Sequence, residues 1–354
     1  ENTSVAMTFD NVTGHWIASL DTATLGDGLH IINVNALDKA GNVGSASVAV
    51  TVDNAEPSAH FNAPANNSYV HGITKINVTG EDVNFARTEL YVNGRLVSVW
   101  NTNGTNIYQW NTTALIDGAY LIFLKVYDSA DNFVTDERLV IVDNTPPVAE
   151  IRAPIKLSYV KGECNITVFA YDMNLKLIQL SAGVINLTSW TTNGIHSFIW
   201  NTSSINGART IVLSVYDEAG TKTEKTITVS VDNIPPSVNI TEPQYGTELN
   251  GTVTINFTAS DFGTNLESVQ LLIDQSAFNV TGLTSYQWDT RKVGDGIHNI
   301  TLTAYDKAGN KAKTSLVSVN VVNLKLDLEA ERARLEAVKN LYLAIGTPLG
   351  FVLG

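Results

Sequence analysis

The sequence predicts an all-β chain: antiparallel β-sandwiches in tandem, followed by a C-terminal α-helix. Three observations predict it. First, one stretch returns at a nearly constant step. Leu37-Asp38-Lys39-Ala40-Gly41-Asn42 recurs as Tyr127-Asp128-Ser129-Ala130-Asp131-Asn132, as Tyr216-Asp217-Glu218-Ala219-Gly220-Thr221 and as Tyr305-Asp306-Lys307-Ala308-Gly309-Asn310, so the four Asp residues lie 90, 89 and 89 positions apart. That step is too long for a solenoid unit and suits a small domain that buries its own core. Second, apolar residues on both sides of each Asp alternate with period two, as in a strand with one buried face. Third, good helix formers gather only beyond residue 324.

Within one repeat the elements follow in order. Ile76 and Val78, Ile166 and Val168, and Ile255 and Phe257 mark an early strand. Tyr108 and Trp110, Phe198 and Trp200, and Tyr286 and Trp288 put two aromatics on one face of a later one. An Asp-Gly or Asn-Gly turn comes next, at Asp27, Asp117, Asn206 and Asp295. The strand after it carries Ile32, Val34 and Ala36 in the first copy, Ile122, Leu124 and Val126 in the second, Ile211, Leu213 and Val215 in the third, and Ile300, Leu302 and Ala304 in the fourth. The Asp-x-Ala-Gly-Asn turn has hairpin chemistry: Asp accepts from the backbone two residues on, and Gly takes a left-handed conformation without a steric penalty. A last strand closes the repeat through Val48, Val50 and Val52 and their counterparts. About seven short strands per repeat, with turn signals every 8–12 residues, indicate an immunoglobulin-like sandwich.

The junctions are Asn54-Ala55-Glu56-Pro57, Asn144-Thr145-Pro146-Pro147 and Asn233-Ile234-Pro235-Pro236. Proline holds such joints extended and stiff. An odd strand count puts the termini of a module at opposite ends, so the expected array is a rod of over about 100 Å. The expected divisions are an incomplete module at 1–55, modules at 56–145, 146–234 and 235–323, and a helix with the start of a membrane-associated segment at 324–354.

The frame Val-Asp-Asn-x-Pro-Pro, Trp-Asn/Asp-Thr, Asp-Gly-x-His and Tyr-Asp-x-Ala-Gly-Asn resembles the prokaryotic Ig-like repeats of bacterial and archaeal cell-surface proteins, over residues 1–323. The resemblance implies an extracellular location and a structural role: an archaeal S-layer subunit or a surface stalk. An adhesin stalk, or the accessory region of a secreted hydrolase whose catalytic domain lies upstream, stays open beside it.

Composition narrows the function. A net charge of −13 argues against nucleic acid, which needs a basic footprint. The single Cys, Cys164, cannot form an intrachain disulfide and stands at an inward strand position. No motif of a catalytic site is present, and an active site is built once rather than four times, so no enzyme and no catalytic residue is expected. Asn-x-Ser/Thr sequons number fourteen, against about six by chance. Asn77, Asn165, Asn256 and Asn299 fall on outward strand parity, and Asn111 and Asn201 follow equivalent Trp residues, so these six are the glycosylation candidates.

No cofactor is required. Calcium is the one ligand weighed, because Asp53, Asp143 and Asp232 lie at junctions and Asp38, Asp128, Asp217 and Asp306 open turns; turn and capping chemistry explains the same residues. Trp100 and Trp190 share a repeat position and are candidates for contacts or for packing. At the C-terminus, acids precede bases along 327–340, as a helix dipole prefers. The run 341–354 is apolar and uncharged, which suggests the start of a membrane span. Self-association into a lattice or filament is the expected partner, with the membrane reached through this segment.

Overall fold

A computed structural model describes residues 4–262 and 265–345. The chain divides into two compact units: residues 1–148 with 171–177 and 215–223, and residues 149–170 with 178–214 and 224–354.

In the first unit, two sheets enclose the core of the second repeat. One has three strands, Gly104–Asn111, Ile73–Glu81 and Ser58–Ala63 in spatial order. The other has five: Tyr69–Val70, Phe133–Val142, Gly118–Asp128, Phe85–Val92 and Arg95–Trp100. Alternation decides what lies between them. Ile76, Val78, Leu90, Ile122, Leu124 and Val126 are fully buried, with Trp110 beside them, and their sequence neighbours face outward. In the second unit the fourth repeat builds the same sandwich around Ile255, Phe257, Leu271, Ile300 and Leu302. The strands between residues 148 and 231 pair in the same two orders.

One feature departs from a purely antiparallel sandwich. Tyr69–Val70 pairs parallel with Ile141–Val142, Tyr159–Val160 with Ser230–Val231, and Glu248–Leu249 with Asn320–Val321. Two residues are too few to show a period. The switch between sheets is therefore invisible to an alternation argument.

Residues before Asp53 form two hairpins, Thr8–Asp10 with His15–Ile17 and Gly28–Leu37 with Val43–Val52. The helix spans Asn323–Ile345. The Asp295 carboxylate receives the N–H groups of Asn323 and Leu324 at 3.1 and 2.9 Å, which satisfies donors that a helix start leaves open. Side chains from Leu328 to Leu341 are exposed, so this stretch is not docked on the preceding sandwich. No helix among the described residues is long and apolar enough to cross a membrane. The end of the apolar run, 346–354, lies outside the described residues.

Candidate functional site at the repeat junctions

The recurring Asp of each hairpin turn does what its sequence context implies. Asp128 Oδ1 accepts from Ala130 N and Asn132 N, and its Oδ2 accepts from Asn132 Nδ2. Asp38 and Asp306 repeat the pattern with Asn42 and Asn310. In the third copy Thr221 donates its N–H and hydroxyl to Asp217.

The junction Asn is held just as regularly. Asn54 N, Asn144 N and Asn233 N donate at 2.7 Å to Asp27, Asp117 and Asn206. Their side-chain amides donate to the carbonyls of Thr22, Thr112 and Thr202. Asn323, at the helix start, makes the same two kinds of bond, to Asp295 and Thr290. The Asp-Gly turn is thus the clasp that ends each repeat.

The Asp one position before that Asn faces the other way along the chain. Asp53 Oδ2 receives Asn84 Nδ2, Asp143 receives Asn174 and Asp232 receives Asn265. Asn132 and Asn310 donate to the carbonyls of Asp53 and Asp232. A third acidic residue completes two of these groups. Carboxylate oxygens of Asp53, Asp82 and Asp128 lie within 4.8 Å of one another, as do those of Asp232, Asp261 and Asp306. The junction segment is therefore pinned to two loops of the repeat that follows it.

Asp82, Asp172 and Asp261 were not singled out in the sequence, although their steps of 90 and 89 keep the same beat. Asp172 is 5% exposed. Burial pushes its carboxyl up, the Asn174 N–H pulls the other way, and the charges on Asp143 and Asp217 add to the rise. Burial likewise raises Asp261, partly offset by the Phe262 N–H and reinforced by Asp232 and Asp306.

The remaining candidates are dispersed. Asn111, Asn165, Asn201 and Asn256 are exposed, and Asn77 and Asn299 are half-buried. Asn111 Oδ1 accepts from the Thr113 N–H and hydroxyl, and Asn201 Oδ1 from Ser203 N. Asn77 accepts from Asn62 and Asn299 from Ser318. Cys164 is buried in the strand it was placed on, and burial raises its thiol pKa. Trp100 packs against the core of its sandwich, and Trp190 stacks on His196 at 4.8 Å; the structure brings neither to the junction clusters.

Comparison with known proteins supports the fold. The family model of a bacterial Ig domain matches residues 236–302. The fold is that of tandem Ig-like sandwiches. No curated protein matches the chain. Solved structures that resemble it include the fibronectin(III)-like modules of Clostridium thermocellum CbhA, at 20% identity and TM-score 0.33, over 50% of this chain and 94% of that one. The tetra-tandem repeat in the extending region of a large adhesion protein aligns at 16% identity and TM-score 0.35, over 90% and 91%. Three Ig domains of titin align at 10% and 0.41, over 75% and 98%.

Proposed function

We propose that the chain is a non-catalytic, extracellular spacer whose modules form a semi-rigid stalk or lattice subunit of a cell surface. The observation that carries this reading is the clasp made by Asn54, Asn144, Asn233 and Asn323, which is built at the end of every repeat. Chemistry repeated at each joint serves the geometry of the chain. A reaction would need one site. The match to a bacterial Ig domain supports the prokaryotic, extracellular part of the reading. An archaeal envelope, N-linked glycans on Asn77, Asn111, Asn165, Asn201, Asn256 and Asn299, self-association into a lattice, and membrane contact through 324–354 are further parts of the same proposal. Small-angle scattering of the soluble chain tests it: a particle several times longer than wide is expected, and a compact particle overturns it. Mass spectrometry of protein from its native source tests the glycans, and finding all six Asn residues unmodified removes them.

The second reading, an adhesin stalk or the accessory part of a secreted hydrolase, shares this geometry. It differs in what precedes residue 1. Further repeats there favour the lattice or stalk, and a catalytic domain favours the hydrolase.

A further inference from the structure

The turn and clasp bonds account for much of the acidic chemistry at the junctions, but they leave Asp261 unexplained. Both its carboxylate oxygens are shut off from solvent, each with less than 1 Å² accessible, and apart from the pull of the Phe262 N–H neither has a hydrogen-bond partner of good geometry among the described residues. They belong to a cluster whose other members, Asp232 and Asp306, are almost fully buried. Among the described residues, none of these three carboxylates, nor Asp53, Asp82 or Asp128, pairs with a Lys, Arg or His side chain. A buried carboxylate without a well-placed donor or a counter-charge is costly, and it calls for a cation, an ordered water or a proton.

A second observation separates the junction Asp from the clasp. Asn323 closes the fourth repeat with the same bonds that Asn233 makes. The residue before Asn233 is Asp232, and the residue before Asn323 is Val322. A helix follows Val322, whereas another repeat follows Asp53, Asp143 and Asp232. Closing a repeat therefore does not require this carboxylate. It is present where the chain must be joined to a following sandwich.

We propose that Asp232, Asp261 and Asp306 bind a calcium ion, and that Asp53, Asp82 and Asp128 bind a second one in the same way. The donors are all carboxylate oxygens, which select a hard cation and disfavour zinc. Asp306 and Asp232 each take a backbone N–H on one oxygen and an Asn amide on the other, so lone pairs remain on both carboxylates. Oxygens no more than 4.8 Å apart come within a small side-chain adjustment of one centre at calcium–oxygen distances of about 2.3–2.6 Å. Magnesium, at about 2.0–2.1 Å and strictly octahedral, would need a tighter collapse. The ion would tie the segment leaving one repeat to two loops of the next, so the joint stiffens when calcium is present. This goes beyond the spacer reading, which survives without it.

The test is calorimetric titration of the chelator-treated full chain with calcium, together with thermal melting at fixed ionic strength. Saturable binding of at least two ions per chain is expected, with a melting temperature raised by several degrees. Asp82→Asn and Asp261→Asn keep the side-chain shape. Each should melt at or above the wild-type temperature without calcium, and each should abolish one binding event. No saturable heat at about 5 mM calcium, above the range of weak extracellular modules, overturns the proposal. So does a melting shift that sodium chloride or magnesium reproduces at equal ionic strength, or calcium binding that both variants retain in full.

Discussion

Two hairpins of this chain have nearly the same sequence pattern and very different surroundings. Gly28–Leu37 with Val43–Val52 pairs in the register Ile32↔Val48 and Val34↔Ala46. Gly118–Asp128 with Phe133–Val142 pairs as Ile122↔Arg138 and Leu124↔Asp136. The turns between them use the same Asp and Asn bonds. Yet Val34 is 39% exposed where Leu124 is fully buried, and Ile31, Leu37 and Val48 are exposed too. The second hairpin has Phe85–Val92 alongside it and a three-stranded sheet across from it; among the described residues the first pairs only with itself. Local pattern thus decides that a hairpin forms and which face is apolar. It does not bury that face, which takes the opposite sheet.

The sharpest way to break this comparison is to truncate matched positions. Leu124→Ala should destabilise the second repeat by about 2–5 kcal/mol, while Val34→Ala should change stability by less than about 0.5 kcal/mol. Calorimetric melting resolves the two, and equal losses would show that the hairpin core is local. The next effect concerns Phe85–Val92, the strand alongside the second hairpin. Thr88 lies opposite Val126, fully buried, with its hydroxyl unpartnered. Thr88→Val keeps the shape and removes the orphan, so it should stabilise by about 1 kcal/mol in denaturant unfolding.

A smaller difference runs in the opposite direction. The turn position that is Gly41 in the first hairpin (φ 88°) is Asp131 in the second (φ 66°). This left-handed backbone favours glycine. Asp131→Gly should gain about 0.5–1 kcal/mol and Gly41→Asp should lose a similar amount, read from denaturation midpoints. The smallest effect is electrostatic. The Asn42 side chain, then its N–H, hold the Asp38 carboxyl below the ordinary carboxylate range. A lowered folded value means that this contribution is complete above the unfolded pKa and is lost as pH falls through the folded one. The Asn42 amide should therefore keep its chemical shift down to acidic pH and move only there. A midpoint at or above the ordinary Asp value would show that the turn bonds are not made in solution.

Much of this was legible in the sequence because it repeats or alternates. The hairpin turns, the inward residues such as Ile166 and Ile300, and the outward placement of Asn165 and Asn256 follow from spacing alone. The two-residue parallel strands did not, since Tyr69 and Val70 carry no period. Nor did the junction clusters. Asp82 and Asp261 keep the beat, but the Asn that follows them lies two residues on at Asn84 and four on at Asn265, which breaks the motif. Their meaning also depends on Asp128 and Asp306, which approach them only when the strands pair. The absence of Asp before Asn323 becomes informative once the clasp geometry shows Asn323 and Asn233 to be equivalent.

The short parallel pairing has a mechanical consequence. Tension on a chain of repeats enters one sandwich at Ser58–Ala63, passes on to Tyr69–Val70 and leaves after Ile141–Val142. Because these strands run parallel, pulling slides them past each other and loads the bonds from Ile141 N to Ser68 O and from Asp143 N to Val70 O together, in shear. In the hairpin of Gly28–Leu37 and Val43–Val52 the two ends emerge side by side at Gly28 and Val52, and the same pull opens its ladder one rung at a time. A two-residue strand that adds little to the core can thus act as the latch that sets how much force each repeat bears before it extends.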